Sequence, residues 1–421
     1  MYKKNRKNQL GISLFLLVLI IPTIPVEGLY YLARPIYDLI YRFFILAVLA
    51  LSLLIFILRV AKTKRIGIGK ASFFLILFAG YNVLMTIYRH GDFMGVFGVW
   101  VYSLTLVLIF ENHKKQTEVL LQILLVYLEI LLLVNAVLIV LFPHGMYRGD
   151  YNQYGQMWLL GYKSSLQCYV LPAVFLALIQ KAYTNSSKHL FFILILSHAE
   201  SLIERNAMLL AILVFFDTAL YFRLYKKDII TLKTVFVGFA AVIFANIFVV
   251  FFTEKLFSIS FFQYVLVNLL GKNPTLSLRT SNWKAVWGAI KQSPLIGYGY
   301  TSDLTRSILY GRETAHAHNI FLEMLYEGGI VQVIIYLIFI FTILEKLLKN
   351  RHTSIAKVIF VFFGLYYIMY IFENPMQKSN GAIWLLFIIG YYSKYINRTL
   401  QFSYLDILGL SSLKGNALRM V

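Results

Sequence analysis

The sequence is poor in cysteine and in charge. Cys168 is the only cysteine among 421 residues, so an intramolecular disulfide and a cysteine-based zinc site are both excluded. Charged residues make up 14% of the chain, against roughly 25% in an ordinary soluble domain. Hydrophobic residues make up 60%. This composition excludes a soluble globular domain and indicates a polytopic membrane protein.

Acidic residues are scarce as well, and the formal net charge is +20. A charge of this size can indicate nucleic-acid binding, but its distribution along the chain indicates membrane orientation instead. With the N-terminus inside, the short loops and termini place 25 lysines and arginines on the inner side and 7 on the outer side. We therefore predict that both termini are cytoplasmic, and we expect no nucleic-acid partner.

About twelve apolar segments can cross the hydrocarbon, which takes roughly 17 to 25 helical residues. They lie near 10–26, 41–60, 71–88, 93–110, 119–142, 159–180, 190–204, 206–224, 229–252, 319–345, 357–372 and 382–397. The predicted fold is all-α. Residues 1–252 form transmembrane helices one to nine, 253–318 form an extracytoplasmic loop with interfacial helices, and 319–421 form the last three helices and a cytoplasmic tail.

The long outer loop has a helical pattern of its own. Four apolar residues recur at i, i+3, i+4 and i+7, namely Trp283, Val286, Trp287 and Ile290. They form one stripe, and we expect this helix to lie along the outer membrane interface, where tryptophan is favoured. Pro294 then ends the helix, and Gly297 and Gly299 permit a tight turn.

Polar residues mark the start of the next span. Asn319, Glu323 and Glu327 are spaced by four and share a helix face. Carboxylates near the outer end of a membrane helix are costly unless they line a wet cavity or meet a cation, so we expect an arginine partner. His318 precedes the helix, where a neutral imidazole can accept a proton.

A second polar interruption, Ser197 to Asn206, lies between two predicted spans on the outer side. It contains Arg205, which places a fixed cation in the same compartment as Arg279 and His318. The planar guanidinium suits a phosphate or diphosphate. Arg205 and Arg279 are therefore candidate anion-binding residues.

These motifs resemble the O-antigen ligase and O-antigen polymerase superfamily. The resemblance rests on Arg279-x-x-x-Trp283, Pro294-Leu295-x-Gly297-x-Gly299, His318-Asn319-x-x-Leu322 and Glu327-x-Gly329. Arg205 followed by Ala-Met-Leu is similar to a shorter Ser-Arg-Gly-Ala-Leu element of that family. The chain departs from the family pattern at Glu204, Asn206 and Gln332, where Ser, Gly and Gly are usual, and these departures weaken the Arg205 element most.

The resemblance implies a GT-C type glycosyltransferase in the bacterial cytoplasmic membrane. It would use polyprenyl-diphosphate-linked glycans as donor and acceptor on the outer face, without a metal or other cofactor. Arg205 and Arg279 would stabilise the leaving diphosphate and His318 would act as the base. Glu323, Glu327 and Asn319 would have supporting roles. No Asp-x-Asp pair, typical of metal-held sugar nucleotides, occurs in the chain.

Each motif also has a structural interpretation. Asn319 can be a helix N-cap, and Arg205 can be a snorkelling residue at the interface. Trp283 is more typical of an interfacial anchor than of a sugar-stacking platform. Gly297 and Gly299 are more typical of a turn than of a phosphate-binding loop. As substrate-binding residues, these last three are secondary candidates.

Three functions fit the sequence. One is a polymerase that joins lipid-linked repeat units into capsule, exopolysaccharide or O-antigen chains, with a flippase and a chain-length regulator as candidate partners. A ligase of the same superfamily, which transfers finished glycan to another acceptor, shares the motifs. A transporter or flippase would often show two similar halves, and no such repeat is visible. We predict a polymerase.

Overall fold

The computed structural model describes residues 2–147, 156–222, 228–257, 259–264, 279–310, 316–373 and 381–407. This part of the chain is helical, and its β-structure is limited to isolated bridges at Tyr147–Met157 and Trp158–Gly161. Its α-helices are α1 Tyr2–Ile20, α2 Glu27–Leu32, α3 Arg34–Tyr37, α4 Ile45–Thr63, α5 Lys70–Tyr88, α6 Phe93–Asn112, α7 Thr117–Leu141, α8 Gln167–Thr184, α9 Lys188–Ile203, α10 Ala207–Tyr221, α11 Leu232–Phe257, α12 Ser260–Tyr264, α13 Arg279–Gln292, α14 Asp303–Tyr310, α15 Ile320–Lys349, α16 Ser354–Tyr370, α17 Gly381–Tyr391 and α18 Ser393–Ile407. A π-helical stretch, Asp38–Phe44, joins α3 to α4.

Six helical stretches of the described chain are long and apolar enough to cross a membrane. They are Arg34–Thr63, Lys70–Tyr88, Phe93–Asn112, Lys114–Leu141, Leu232–Phe252 and Ile320–Lys349. Shorter apolar helices lie at Gly11–Thr23, Ala207–Tyr221, Ser354–Tyr370 and Gly381–Tyr391. The predicted all-helical class with several apolar helices is confirmed. The count of twelve spans and the GT-C assignment stay predictions.

Two predicted spans have different boundaries in the structure. The segment 159–180 becomes helical only at Gln167, because Gly161 has φ +93° and the chain turns there. The segment 382–397 is divided at Tyr392 between α17 and α18. The Tyr392 hydroxyl donates to Glu111 Oε1 at 2.9 Å. This contact with the end of α6 accompanies the break.

The core is built around α15, which packs mainly against α5 and α17. Large aromatic side chains fill the space between these helices. Trp100 and Trp384 have ring centroids 5.5 Å apart, and Phe78 lies 5.6 Å from Tyr336. In contrast, α4 and α11 expose large apolar side chains such as Leu54 and Phe244. Exposed apolar faces of this extent fit contact with lipid.

The α15 helix is broken one third of the way along. Gly329 has φ 64° and ψ −162°, which is outside the helical range. The chain from Pro294 to Gly299 lies beside the break and bonds to the backbone groups there. Ile330 N donates to Pro294 O at 2.9 Å and Val331 N to Leu295 O at 3.2 Å. Backbone groups of this neighbouring segment thus replace the hydrogen bonds that α15 lacks at Gly329. Buried backbone groups need such partners.

The same segment also donates hydrogen bonds to α15 residues that precede the break. Tyr298 N donates to Tyr326 O at 2.9 Å, and Gly299 N donates to Glu327 O at 2.7 Å. The segment is also bonded to α5, because Tyr300 N donates to Thr86 Oγ1 at 2.8 Å. The segment 294–301 is therefore fixed against α5 and α15, and it leads directly into α14.

Candidate active site

A buried arginine joins α14 to α15. Arg306 is fully buried, and its guanidinium forms ion pairs with Glu323 and with Glu327, the latter at 3.0 Å. Its Nε also donates to Thr301 O at 3.2 Å. The prediction that an arginine meets the carboxylates of this helix is confirmed, and the residue is Arg306.

The charges of this group are balanced within the protein. Burial lowers the pKa of the Arg306 guanidinium, but Glu323 and Glu327 outweigh burial and hold that pKa well above its usual value. Glu327 also accepts a hydrogen bond from Asn82 Nδ2 at 3.0 Å. Asn82 in turn accepts from Trp100 Nε1 at 3.1 Å. Glu323 and Glu327 therefore belong to a closed network that fixes α14 on α15 and α5.

Asn319 caps α15 and ties it to two neighbours. Its side-chain oxygen accepts from Phe321 N and Leu322 N, both at 3.0 Å. Its amide donates to Asn246 Oδ1 at 2.9 Å and to Ile371 O at 3.0 Å. Because the side chain is buried and all its polar atoms are engaged, Asn319 has a positioning role next to His318.

Glu373, just after the C-terminal end of α16, brings the two main candidates together. Arg279 NH2 donates to Glu373 Oε1 at 2.8 Å. His318 Nδ1 lies 3.6 Å from Glu373 Oε2. One oxygen of the Glu373 carboxylate thus faces a fixed cation, and the other oxygen faces an imidazole. The structure brings Arg279 and His318 into one group, which we call the Glu373 cluster (Arg279, His316, His318 and Glu373).

The Glu373 cluster is partly open to solvent. The side chains of Arg279, His318 and Glu373 retain 24%, 28% and 16% of their full exposure. Arg279 Nε is buried and has no hydrogen-bond partner among the described residues. Because the guanidinium has five N–H donors and is partly exposed, it can bind an incoming anion at a donor other than the buried Nε while it keeps its bond to Glu373.

Arg205 lies apart from this cluster in the contacts that the structure describes. It is exposed and has φ +56°, at the turn between α9 and α10. The next residue, Asn206, caps α10 by accepting from Leu209 N at 3.1 Å. No described contact links Arg205 to Arg279 or His318. Its catalytic role stays a prediction.

The three residues assigned to substrate binding have structural contacts, and their substrate-binding role stays a prediction. Trp283 is fully buried, and its indole donates to Ala317 O at 2.9 Å. The indole is therefore not itself exposed to lipid, and the interfacial location of the helix stays a prediction. The helix itself is confirmed as α13, and its stripe packs on Tyr310 of α14, on Ala317 and on Tyr326 of α15.

Gly297 and Gly299 are likewise structural residues. Both have positive φ, 64° and 72°. A Cβ at Gly297 would lie 2.5 Å from Tyr326 O, and one at Gly299 would lie 2.6 Å from Thr86 Cα. These glycines allow close backbone contact at the break in α15. The turn interpretation is confirmed.

Sequence reasoning missed Glu373, Arg306 and His316 as members of the site. A signal existed for Glu373, which is an acidic residue directly after an apolar helix on the predicted outer side. Another existed for His316, which forms a His-x-His pair with His318. Arg306 lies on the short amphipathic helix α14, whose polar and apolar faces are distinct in the sequence.

Fold and site together define a multi-pass helical membrane protein with a cluster of one arginine, two histidines and one carboxylate at the start of α15. Residues 190–337 match the family described as O-antigen ligase. This stretch contains Arg205, Arg279, Arg306 and His318, and it ends within α15. Over this stretch the match confirms the predicted resemblance to the O-antigen ligase and polymerase superfamily. Searches of curated proteins and of solved structures found no significant match.

Proposed function

We propose that this protein is a metal-independent polysaccharide polymerase on the outer face of the bacterial cytoplasmic membrane. It would join repeat units carried on polyprenyl diphosphate into capsule, exopolysaccharide or O-antigen chains. The observation that carries the proposal is the shared contact of Glu373 with Arg279 at 2.8 Å and with His318 at 3.6 Å. This contact combines an anion-binding group and a proton acceptor at a partly exposed site.

The chemistry needs both groups. The acceptor hydroxyl oxygen forms a bond to the anomeric carbon of the donor while the bond from that carbon to the diphosphate oxygen breaks. The hydroxyl proton passes to His318, and the bonding electrons leave with the lipid diphosphate. Arg279 would stabilise the charge that develops on the diphosphate. Glu373 would hold Arg279 and orient the imidazole of His318.

Arg205 would be a second cation for the diphosphate. This assignment rests on its place in the matched family segment and on its exposed position at the turn between α9 and α10. A lipid diphosphate carries its charge over several oxygens, so two arginines can bind it from different sides.

The second candidate is a ligase. The description of the matched family, O-antigen ligase, favours it, and a ligase would use the same donor and the same leaving group. The two functions differ only in the acceptor, which is a second lipid-linked repeat unit for the polymerase and another glycan, lipid or protein for the ligase.

A deletion strain complemented with variants tests the proposal. His318→Ala and Arg279→Ala should each leave single repeat units on the lipid carrier or cell surface, with no ladder of longer chains on a gel. The matched controls are His144→Ala and Lys291→Ala, because both side chains are exposed and outside the Glu373 cluster. These controls should keep the ladder, and all variants should reach wild-type abundance in the membrane.

The outcomes separate the alternatives. An unchanged ladder in His318→Ala or Arg279→Ala would contradict the role of that residue. Long chains that accumulate on the carrier and fail to reach their acceptor would identify a ligase. Single units that stay on the inner leaflet in the deletion strain, inaccessible to an added glycosidase, would identify a flippase.

A further inference from the structure

The Glu373 cluster also contains three donor atoms suited to a metal ion. One ligand atom each from His316, His318 and Glu373 lies within 4.8 Å of the others. The two imidazole rings are close, with centroids 3.9 Å apart. Neither the proposed reaction nor the superfamily assignment uses His316.

The backbone between the two histidines is held on both sides. Ala317 N donates to Glu323 Oε2 at 2.8 Å, and Ala317 O accepts from Trp283 Nε1 at 2.9 Å. Asn319, which follows, is fixed by four hydrogen bonds at the start of α15. The His-x-His pair is therefore presented by a rigid backbone, and rigid presentation favours metal binding because less motion is lost on binding.

The donor set selects a class of metal. Two imidazole nitrogens and one carboxylate oxygen suit Zn²⁺ and similar divalent ions, whereas Mg²⁺ and Ca²⁺ prefer oxygen ligands. In a tetrahedral site with bonds of about 2.0–2.2 Å, donor atoms lie roughly 3.4 Å apart. The three atoms, now within 4.8 Å of one another, would need to approach by up to about 1.4 Å, which side-chain rotation can supply.

Arg279 is compatible with such an ion. It bonds to Glu373 Oε1, whereas Oε2 of the same carboxylate faces His318. Oε2 can bind the metal while Arg279 holds the other oxygen and fixes the carboxylate in place. Metal-binding carboxylates are commonly oriented by hydrogen bonds of this kind.

We propose that His316, His318 and Glu373 form a binding site for one divalent transition-metal ion of the Zn²⁺ type, with a fourth position open to water. The ion takes the nitrogen lone pair of His318 that proton transfer needs. If the proposed function is correct, Zn²⁺ at this site inhibits chain extension by blocking the base.

Direct binding to the purified full-length protein in detergent tests the site without reference to glycan transfer. Titration with Zn²⁺, followed by calorimetry, should give one equivalent. His316→Ala, His318→Ala and Glu373→Gln should each weaken binding by at least about tenfold, as loss of metal-site groups does. His144→Ala, an exposed histidine outside the cluster, should bind as the wild type does, and excess Mg²⁺ should not displace Zn²⁺.

Co²⁺ provides a second measurement that does not depend on the stability of variants. Wild-type protein loaded with Co²⁺ should show visible absorption bands typical of nitrogen-containing, low-coordinate sites, and Zn²⁺ should abolish them. The absence of Zn²⁺ binding by wild-type protein would overturn the proposal. Binding that all three ligand variants retain would also overturn it, because the ion would then lie elsewhere.

An activity assay addresses the consequence separately. Zn²⁺ should reduce chain extension by the wild type at least about tenfold at saturation, and a chelator should restore it. His316→Ala should resist this inhibition relative to its own metal-free rate. Zn²⁺ binding without any polymerase activity would defeat the proposed function and leave the metal site standing. Chain extension by a protein that binds no Zn²⁺ would overturn the metal site and leave the proposed function standing.

Discussion

Arg279 and Glu373 form an ion pair at 2.8 Å although 94 residues separate them in the sequence. Arg279 begins α13, and Glu373 follows α16. The pair therefore joins the long predicted outer loop to the C-terminal end of an apolar helix. It also sets the place of His318, whose Nδ1 lies 3.6 Å from the second oxygen of the same carboxylate.

Glu373→Ala tests whether this carboxylate organises the site. Loss of Glu373 leaves Arg279 and His318 without their shared partner, so both should sample positions away from the reacting atoms. Misplacement of about 1 Å can cost about 10²-fold in rate. We expect a loss of chain extension of that order, measured by the length distribution of lipid-linked glycan over time.

The control for Glu373 is Glu345→Ala. Glu345 also pairs with a cation, Lys349, but its side chain is 57% exposed and lies near the end of α15 far along the helix from His318. This variant should keep the wild-type rate. Equal rates for Glu373→Ala and the wild type would show that Arg279 and His318 do not need the carboxylate.

Arg306→Ala tests the buried ion-pair network. The substitution leaves Glu323 and Glu327 in the protein interior without their cation. Removal of one partner from a buried pair typically costs about 3–5 kcal/mol. We expect a clear fall in the thermal unfolding temperature in detergent, together with lower abundance in the membrane.

An exposed ion pair provides the comparison. Lys349→Ala removes a cation whose side chain is 63% exposed, and surface pairs contribute at most about 1 kcal/mol. Its unfolding temperature should stay close to that of the wild type. If Arg306→Ala unfolds no earlier than Lys349→Ala, the network of α14 and α15 does not stabilise the fold.

Local patterns in the sequence were sufficient to predict helices but not the residues that pack against them. The stripe of Trp283 predicted α13, yet the surface that covers it includes Tyr310 and Ala317 from later in the loop. Periodicity within one helix contains no information about that surface. The stripe could therefore be predicted from the sequence, but the residues that cover it could not.

The partner of Glu323 and Glu327 was predicted by residue type only. The cost of desolvating the two carboxylates required a cation nearby. The predicted outer loop contains seven lysines and arginines, and charge alone does not show which of them contacts Glu323 and Glu327. The Arg279–Glu373 contact was missed because it joins distant segments. The candidates His318 and Arg279 were found because the spacing of motif residues can be read from a single sequence, whereas contacts between distant residues cannot.

The orientation of the chain is testable by cysteine labelling. Cys168 is buried, so it should contribute little background. Ser302 is exposed and belongs to the predicted outer loop 253–318, and Ser302→Cys changes one atom. A membrane-impermeant maleimide should label it in intact cells. Arg65→Cys, exposed in the predicted inner loop 59–70, should be labelled only after permeabilisation. The reverse pattern would contradict the predicted orientation of the termini.

Gly329→Ala tests whether the break in α15 is required. Gly329 has φ 64°, and a Cβ there would lie 2.3 Å from the Leu295 carbonyl carbon. Alanine both strains this backbone and collides with segment 294–299, so we expect a large loss of stability and of folded protein by size-exclusion chromatography. Gly364→Ala in α16 is the control, because nothing lies within 4 Å of its added Cβ and alanine favours a helix by about 1 kcal/mol. If both variants yield equal amounts of folded protein, α15 does not need its break.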